Sequence, residues 1–188
     1  MRIGVFGGSF DPVHRGHLAV AQQALRQLTL DQVRFVPARH QPLKAEGPRA
    51  APQDRVAMLR AAIGDQSRLA VDLREIERPG LSYTVDTLRE LKRERPEDQL
   101  FLLVGADAAR DLPRWREAQE ISRLATVVVV PRPGVPAPDR GAAIIMEPVD
   151  VSATGVRDAV AAGQAFEHLV PKGVADYIAA HRLYRLGA

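Results

Sequence analysis

The chain has 188 residues, 46% of them hydrophobic and 26% charged, with a net charge of +3, five histidines and no cysteine. That length and balance fit one folded domain spanning 1–188, not a disordered or membrane-embedded chain. The missing thiols exclude disulfides, thiolate catalysis and cysteine zinc sites. The small positive excess comes from arginines scattered among acids and suits a phosphorylated small molecule. Aromatic residues are only 5%, and no nucleic-acid-binding signature is present, so a nucleic-acid partner is not expected.

The predicted elements alternate. Ile3 to Phe6 reads as a buried strand and His17 to Leu28 as a helix. The pattern repeats with strands at Val33–Pro37, Leu69–Leu73, Leu100–Val104, Thr126–Val130 and Ala143–Met146. The matching helices are Pro52–Ile63, Thr84–Arg95, Trp115–Leu124, Thr154–Ala162 and Pro171–His181. Short β-branched runs followed by longer helical patterns are the signature of a parallel sheet, so the expected fold is α/β: a Rossmann-like, doubly wound parallel sheet in a single domain. Pro-rich irregular segments follow two of the strands, at Pro37–Pro52 and Pro131–Pro138. Open α/β sheets bind ligands beyond strand C-termini, which makes these segments candidate site loops. The longest apolar run, Ala125 to Val130, is far short of the roughly 20 residues that cross a bilayer, so no membrane partner is expected. The N-terminus lacks a signal-peptide pattern, and the expected location is cytoplasmic.

The stretch from Gly4 to His17 carries the most chemistry. Gly7 and Gly8 let the backbone bend and approach a ligand, and Ser9 adds a hydroxyl beside exposed N–H groups. His14 and His17 flank Gly16 at the mouth of the next helix, where the helix N-terminus already attracts anions. Two imidazoles there suit phosphoryl chemistry, although a histidine at a helix start is also a common surface or core residue. The spacing is that of neither a Walker loop nor a dinucleotide fingerprint, and no zinc-ligand pattern accompanies it.

The segment Gly7-Gly8-Ser9-Phe10-Asp11-Pro12-Val13-His14-Arg15-Gly16-His17-Leu18 resembles the His-x-Gly-His nucleotidyltransferase superfamily, in the version found in bacterial nicotinate-nucleotide adenylyltransferases. Glu77 to Leu88, Val104 to Asp107, Trp115 and Val151 to Arg157 match further motifs in the same order. The resemblance implies transfer of AMP from ATP to nicotinate mononucleotide, with Mg²⁺ travelling on ATP and no protein metal site. A phosphopantetheine adenylyltransferase or a cytidylyltransferase would share His14 and His17 but not the Ser82-Tyr83-Thr84 block, and a non-catalytic nucleotide sensor is the alternative outside enzymes. It further implies catalytic roles for His14, His17, Lys44 and Arg157. Gly7, Gly8, Ser9, Phe10, Gly105, Asp107, Ser152 and Thr154 would bind ATP. Thr84 and Trp115 would receive the nicotinate nucleotide.

Each of these residues also has a plain structural reading. Lys44 could be an exposed loop lysine, Asp107 a helix N-cap, and Trp115 a core residue. Leu43 stands where the family usually has histidine before the lysine, and Ala153 replaces a common serine. Arg157 is expected in the first turn of its helix, where a cation opposes the dipole by roughly 0.3–1 kcal/mol unless an anion is bound. It could instead pair with an acid such as Asp158. On that placement, its removal should leave the ligand-free fold intact or slightly firmer.

Overall fold

A computed structural model describes residues 1–43, 46–130, 142–147 and 149–185. Six strands run in parallel: β1 (Arg2–Gly8), β2 (Gln32–Pro37), β3 (Leu69–Val71), β4 (Gln99–Gly105), β5 (Ala125–Val130) and β6 (Ala142–Ala143). Their order across the sheet is β3-β2-β1-β4-β5-β6. The helices are α1 (Arg15–Gln27), α2 (Pro52–Ile63), α3 (Arg74–Glu77), α4 (Thr84–Glu94), α5 (Ala106–Asp111), α6 (Ala118–Leu124), α7 (Ala153–Ala161) and α8 (Lys172–Ala180).

Alternation along the strands builds two cores. Ile3 and Val5 of β1, and Leu100, Leu102 and Val104 of β4, meet α4 through Val85, Leu88 and Leu91. Phe6, Phe35, Phe101 and Leu103 point the other way, toward α1, α2, α7 and α8. The strands are covered on both sides, which is why their sequences read as continuous apolar runs. The order reverses between β1 and β4, so the chain leaves their carboxyl ends toward opposite faces and opens a crevice there.

Most predicted boundaries shift by one or two residues, and three of the differences have a local reason. The β3 strand stops at Val71 because Asp72 caps the chain into α3, accepting from the Arg74 backbone at 3.2 Å and from Arg74 Nε at 2.8 Å. The helix expected from Trp115 begins at Ala118, since Leu112–Arg114 is a 3₁₀ turn, Trp115 is extended and Glu117 has φ of 52°. The last strand ends at Ala143; beyond it, the Gln27 side chain takes over, accepting from the Ile145 N–H at 2.9 Å and donating to its carbonyl. The short helices α3 and α5 have no counterpart among the predicted elements. The Pro131–Pro138 segment lies outside the described residues.

Arg55 of α2 is the largest side chain in the interior, only 1% exposed. It stands at the helical spacing of Leu59 and Ala62, where an apolar residue would be expected. Its guanidinium instead donates to the carbonyls of Ser9 at 2.7 Å and Ala38 at 2.8 Å, which ties the loop after β1 to the loop after β2. Burial pulls its pKa below the usual arginine range, and the nearby Asp11 and Tyr184 oppose that shift. Arg55→Met keeps the bulk but strands both carbonyls, so urea unfolding should show a loss of about 2–3 kcal/mol. A loss under about 0.5 kcal/mol would mean that water replaces the guanidinium without cost.

Candidate active site

The loop after β1 is shaped by one strained residue and one close contact. Phe10 has φ of 50°, a conformation that costs a non-glycine residue of order 1 kcal/mol or more, and its ring is buried among Phe6, Phe35 and His17. Packing of that ring outweighs the strain. It also means that Phe10 can offer a ligand little more than its backbone. Ser9 Oγ donates to Gln41 Oε1 at 3.0 Å, a second link to the loop after β2.

His14 is the N-cap of α1, and His17 lies one turn into it. Their rings stack with centroids 3.7 Å apart. The His14 backbone N–H donates to His17 Nδ1 at 3.2 Å, so the neutral ring carries its proton on Nε2. A side chain on Gly16 would come within 3.1 Å of His14 Nδ1 and of Val151. A Cβ there would crowd the imidazole and Val151, which would have to give by a few tenths of an ångström, and glycine avoids that.

Asp11 joins this loop to three distant stretches. Its carboxylate is 4% exposed. It accepts from the N–H groups of Arg49 at 2.7 Å and Ala50 at 3.0 Å, and from the Tyr184 hydroxyl at 2.8 Å. Burial, then the Asp11 charge and hydrogen bond, drive the Tyr184 pKa far above the usual phenol range, so it stays a donor. The Asp11 carbonyl in turn accepts from Arg157 Nη1 at 2.7 Å.

The placement of Arg157 corrects the sequence expectation. Because α7 starts at Ala153, Arg157 falls in its second turn, outside the strongest part of the dipole. Its partners are the Asp11 carbonyl and Thr154 Oγ1, at 3.1 Å, with the Asp11 carboxylate 3.9 Å away. Ser152 is the N-cap and accepts from the Gly155 N–H at 3.0 Å. With Ala153 at the next position, Ser152 and Thr154 are the hydroxyls at this helix start.

Two clefts open at the crevice. The first, of about 760 Å³, is lined by Gly7, Gly8, Ser9, Phe10, His14, His17, Gly105, Ser152, Thr154 and Arg157. The second, of about 740 Å³, takes in Thr84, Asp107 and Trp115 together with Ser82, Tyr83 and Glu75. Gly7, Gly8 and Gly105 belong to both, so the clefts meet over the ends of β1 and β4. Each is within the usual size of a small-ligand site. Asp107 therefore lines the second cleft and not the first. It is at the second position of α5, whose N-cap is Gly105, and it pairs with Arg110. Trp115 both packs on the apolar cluster beneath α4 and faces the second cleft. Lys44 lies outside the described residues.

Arg55, Asp11 and Tyr184 are the structural supports that sequence reasoning passed over. An arginine on the apolar stripe of α2 was a usable signal. Asp11 was hidden inside the glycine-rich motif, and Tyr184 had no local cue.

A doubly wound sheet with two joined clefts at its switch point is the architecture of an enzyme that brings two nucleotides together. The cytidylyltransferase-like family pattern matches residues 5–159. A Thermus thermophilus relative named "Probable nicotinate-nucleotide adenylyltransferase" is 45% identical, over 98% of this chain and 100% of its own. A Bacillus pumilus protein of the same name is 37% identical, over 97% and 98%. The chain thus belongs to the cytidylyltransferase-like nucleotidyltransferases and, among them, to the nicotinate-nucleotide adenylyltransferase family. In fold it is similar to a solved Plasmodium falciparum nicotinic acid mononucleotide adenylyltransferase complexed with NaAD, with a TM-score of 0.81 at 18% identity over 97% of each chain.

The geometry sets two expectations. Replacing His14 or His17 by alanine should lower kcat by roughly 10²–10³ with a much smaller change in ATP affinity, because charge builds mainly in the transition state. Near-normal turnover in either variant would remove the imidazoles from the chemistry. Arg157→Ala should weaken ATP binding and also cost the ligand-free protein about 1 kcal/mol, since the bond to the Asp11 carbonyl is lost. Thermal melts with and without ATP check both parts, and an unchanged ligand-free melting temperature would contradict the second.

Proposed function

We propose that this chain transfers AMP from ATP to the phosphate of nicotinate mononucleotide, giving deamido-NAD and pyrophosphate in NAD biosynthesis. The single observation that supports it best is the meeting of two ligand-sized clefts over Gly7, Gly8 and Gly105. ATP would occupy the first, with its phosphates against the glycine turn, Ser9, the backbone of Phe10, the α1 N-terminus, Ser152 and Thr154. The acceptor would occupy the second, its ring near Thr84 and Trp115 and its phosphate at the junction. Asp107, from the second cleft, would reach the ATP ribose across that junction beside Gly105.

A phosphate oxygen of the acceptor attacks the α-phosphorus of ATP. One P–O bond forms as the bond to the bridging oxygen of the pyrophosphate breaks, and pyrophosphate leaves with those electrons. No covalent nucleophile is needed, so the protein contributes positioning and positive charge. The Nε2–H of His17 and the His14 imidazole would stabilise the α-phosphate. Arg157 would exchange its carbonyl partner on Asp11 for the outer phosphates, and Lys44 would swing onto the triphosphate. Mg²⁺ would come with ATP on phosphate oxygens and water, since no group of three or more metal-binding side chains occurs among the described residues. No helix of the described residues is long and apolar enough to cross a membrane.

The second cleft sets an expected acceptor preference. Thr84 is the first residue of α4, so its hydroxyl and the free N–H groups of that helix start are donors. A carboxylate answers several donors at once, whereas an amide turns an NH₂ toward some of them. In assays of pyrophosphate release at saturating ATP, kcat/KM for the nicotinate nucleotide should exceed that for the nicotinamide nucleotide by at least tens-fold. Equal values would reject the deamido-NAD assignment and leave the adenylyl transfer standing.

A further inference from the structure

Glu75 of α3 is a buried carboxylate on the wall of the second cleft, and the reaction just described does not use it. It accepts from Thr87 Oγ1 at 2.6 Å, and the Ser82 side chain lies close enough to favour its charged form. Each hydroxyl also accepts from a second group: Thr87 Oγ1 takes an N–H from Arg78 Nη2 at 3.2 Å, and Ser82 Oγ takes the Arg39 backbone N–H at 3.0 Å. The Thr87 hydroxyl proton goes to Glu75, and the carboxylate offers acceptors to both side chains. Burial pushes the Glu75 carboxyl up, while the bond from Thr87, the charge of Arg78 and the nearby Ser82 side chain pull it back.

The two hydroxyls flank the residues that line the cleft. Ser82 precedes Tyr83 and Thr84, and Thr87 lies one turn beyond Thr84 in α4. One carboxylate thus grips the chain on both sides of that dipeptide. Arg39 Nη1 also donates to the Ile76 carbonyl at 3.1 Å, and the Ser82 N–H to the His40 carbonyl at 2.9 Å, so the frame is closed on the β2 side as well.

We propose that Glu75 is a positioning residue for the acceptor nucleotide, fixing Tyr83 and Thr84 on the cleft wall through Ser82 and Thr87. It rests on the reading of the second cleft as the acceptor site. Glu75→Gln is the sharpest change, because the amide keeps the size but removes the charge and replaces one of the two acceptor oxygens with an NH₂ donor.

The test combines steady-state kinetics with a binding titration that needs no turnover. Trp115 is the single tryptophan of the chain and lines the same cleft, so its fluorescence reports nicotinate mononucleotide directly. Glu75→Gln should raise both the Kd by fluorescence and the KM for nicotinate mononucleotide by about 10-fold or more, with the KM for ATP within about twofold. Thr87→Val and Ser82→Ala, each removing one hydroxyl, should shift the acceptor constants in the same direction by less, and they carry the test if Glu75→Gln does not fold. An unchanged acceptor Kd, or an equal rise in the constants for both substrates, would overturn the role while wild-type turnover keeps the function intact. Failure of the wild type to bind nicotinate mononucleotide would overturn both.

Discussion

The buried carboxylate of Asp11 holds together three stretches that lie far apart in the chain. Its two oxygens take backbone N–H groups from the end of the loop after β2 and a hydroxyl from the last residues of the chain, 173 positions away. Its own carbonyl takes the guanidinium of α7. An ion in the interior costs several kcal/mol in lost solvation, and it is tolerated because it accepts three hydrogen bonds and has the Arg157 guanidinium 3.9 Å away. Arg55 complements it from below. It carries the opposite charge into the same interior and binds the carbonyls of the two loops. The glycine turn, the imidazoles and Arg157 keep their relation to one another because these two buried charges brace the loop that carries them.

Topology then decides what that frame encloses. With β1 and β4 adjacent and their connections leaving to opposite faces, a crevice opens beyond their ends. Gly7, Gly8 and Gly105 line that gap, and the absence of side chains there lets two clefts share one floor. Around it the charge is arranged by element. The start of α1 brings its dipole and two stacked rings to one side, and the start of α7 brings hydroxyls and Arg157. The second cleft is of another kind, with Trp115 and other apolar side chains beside hydroxyls and charged groups of both signs. The first suits polyphosphate, and the second suits a flat ring with one polar edge.

Much of this was legible in the sequence because it depends on local rules. Strand alternation, helical spacing and the glycine-rich turn placed the first five strands and the order of the six longer helices, and they put His14, His17, Ser152 and Thr154 at helix starts beyond strand ends. The structure gathers those residues in one cleft, with Thr84 and Trp115 in its neighbour. The short helices α3 and α5 were not legible, since four and six residues carry too little periodicity to stand out from a turn.

What only the tertiary structure decided are the pairings between distant side chains. Arg157 looked like a partner for Asp158, yet it binds the carbonyl of Asp11, 146 residues earlier. Asp107 looked like part of the first site or a helix cap, and it lines the second cleft. Arg55 is stable on the apolar face of α2 because two loop carbonyls meet its guanidinium. Sequence patterns report which way a residue faces relative to its own helix or strand. They say nothing about which donor from another part of the chain will meet it, because that depends on how the layers pack, and a buried charge is stable only where such a partner arrives.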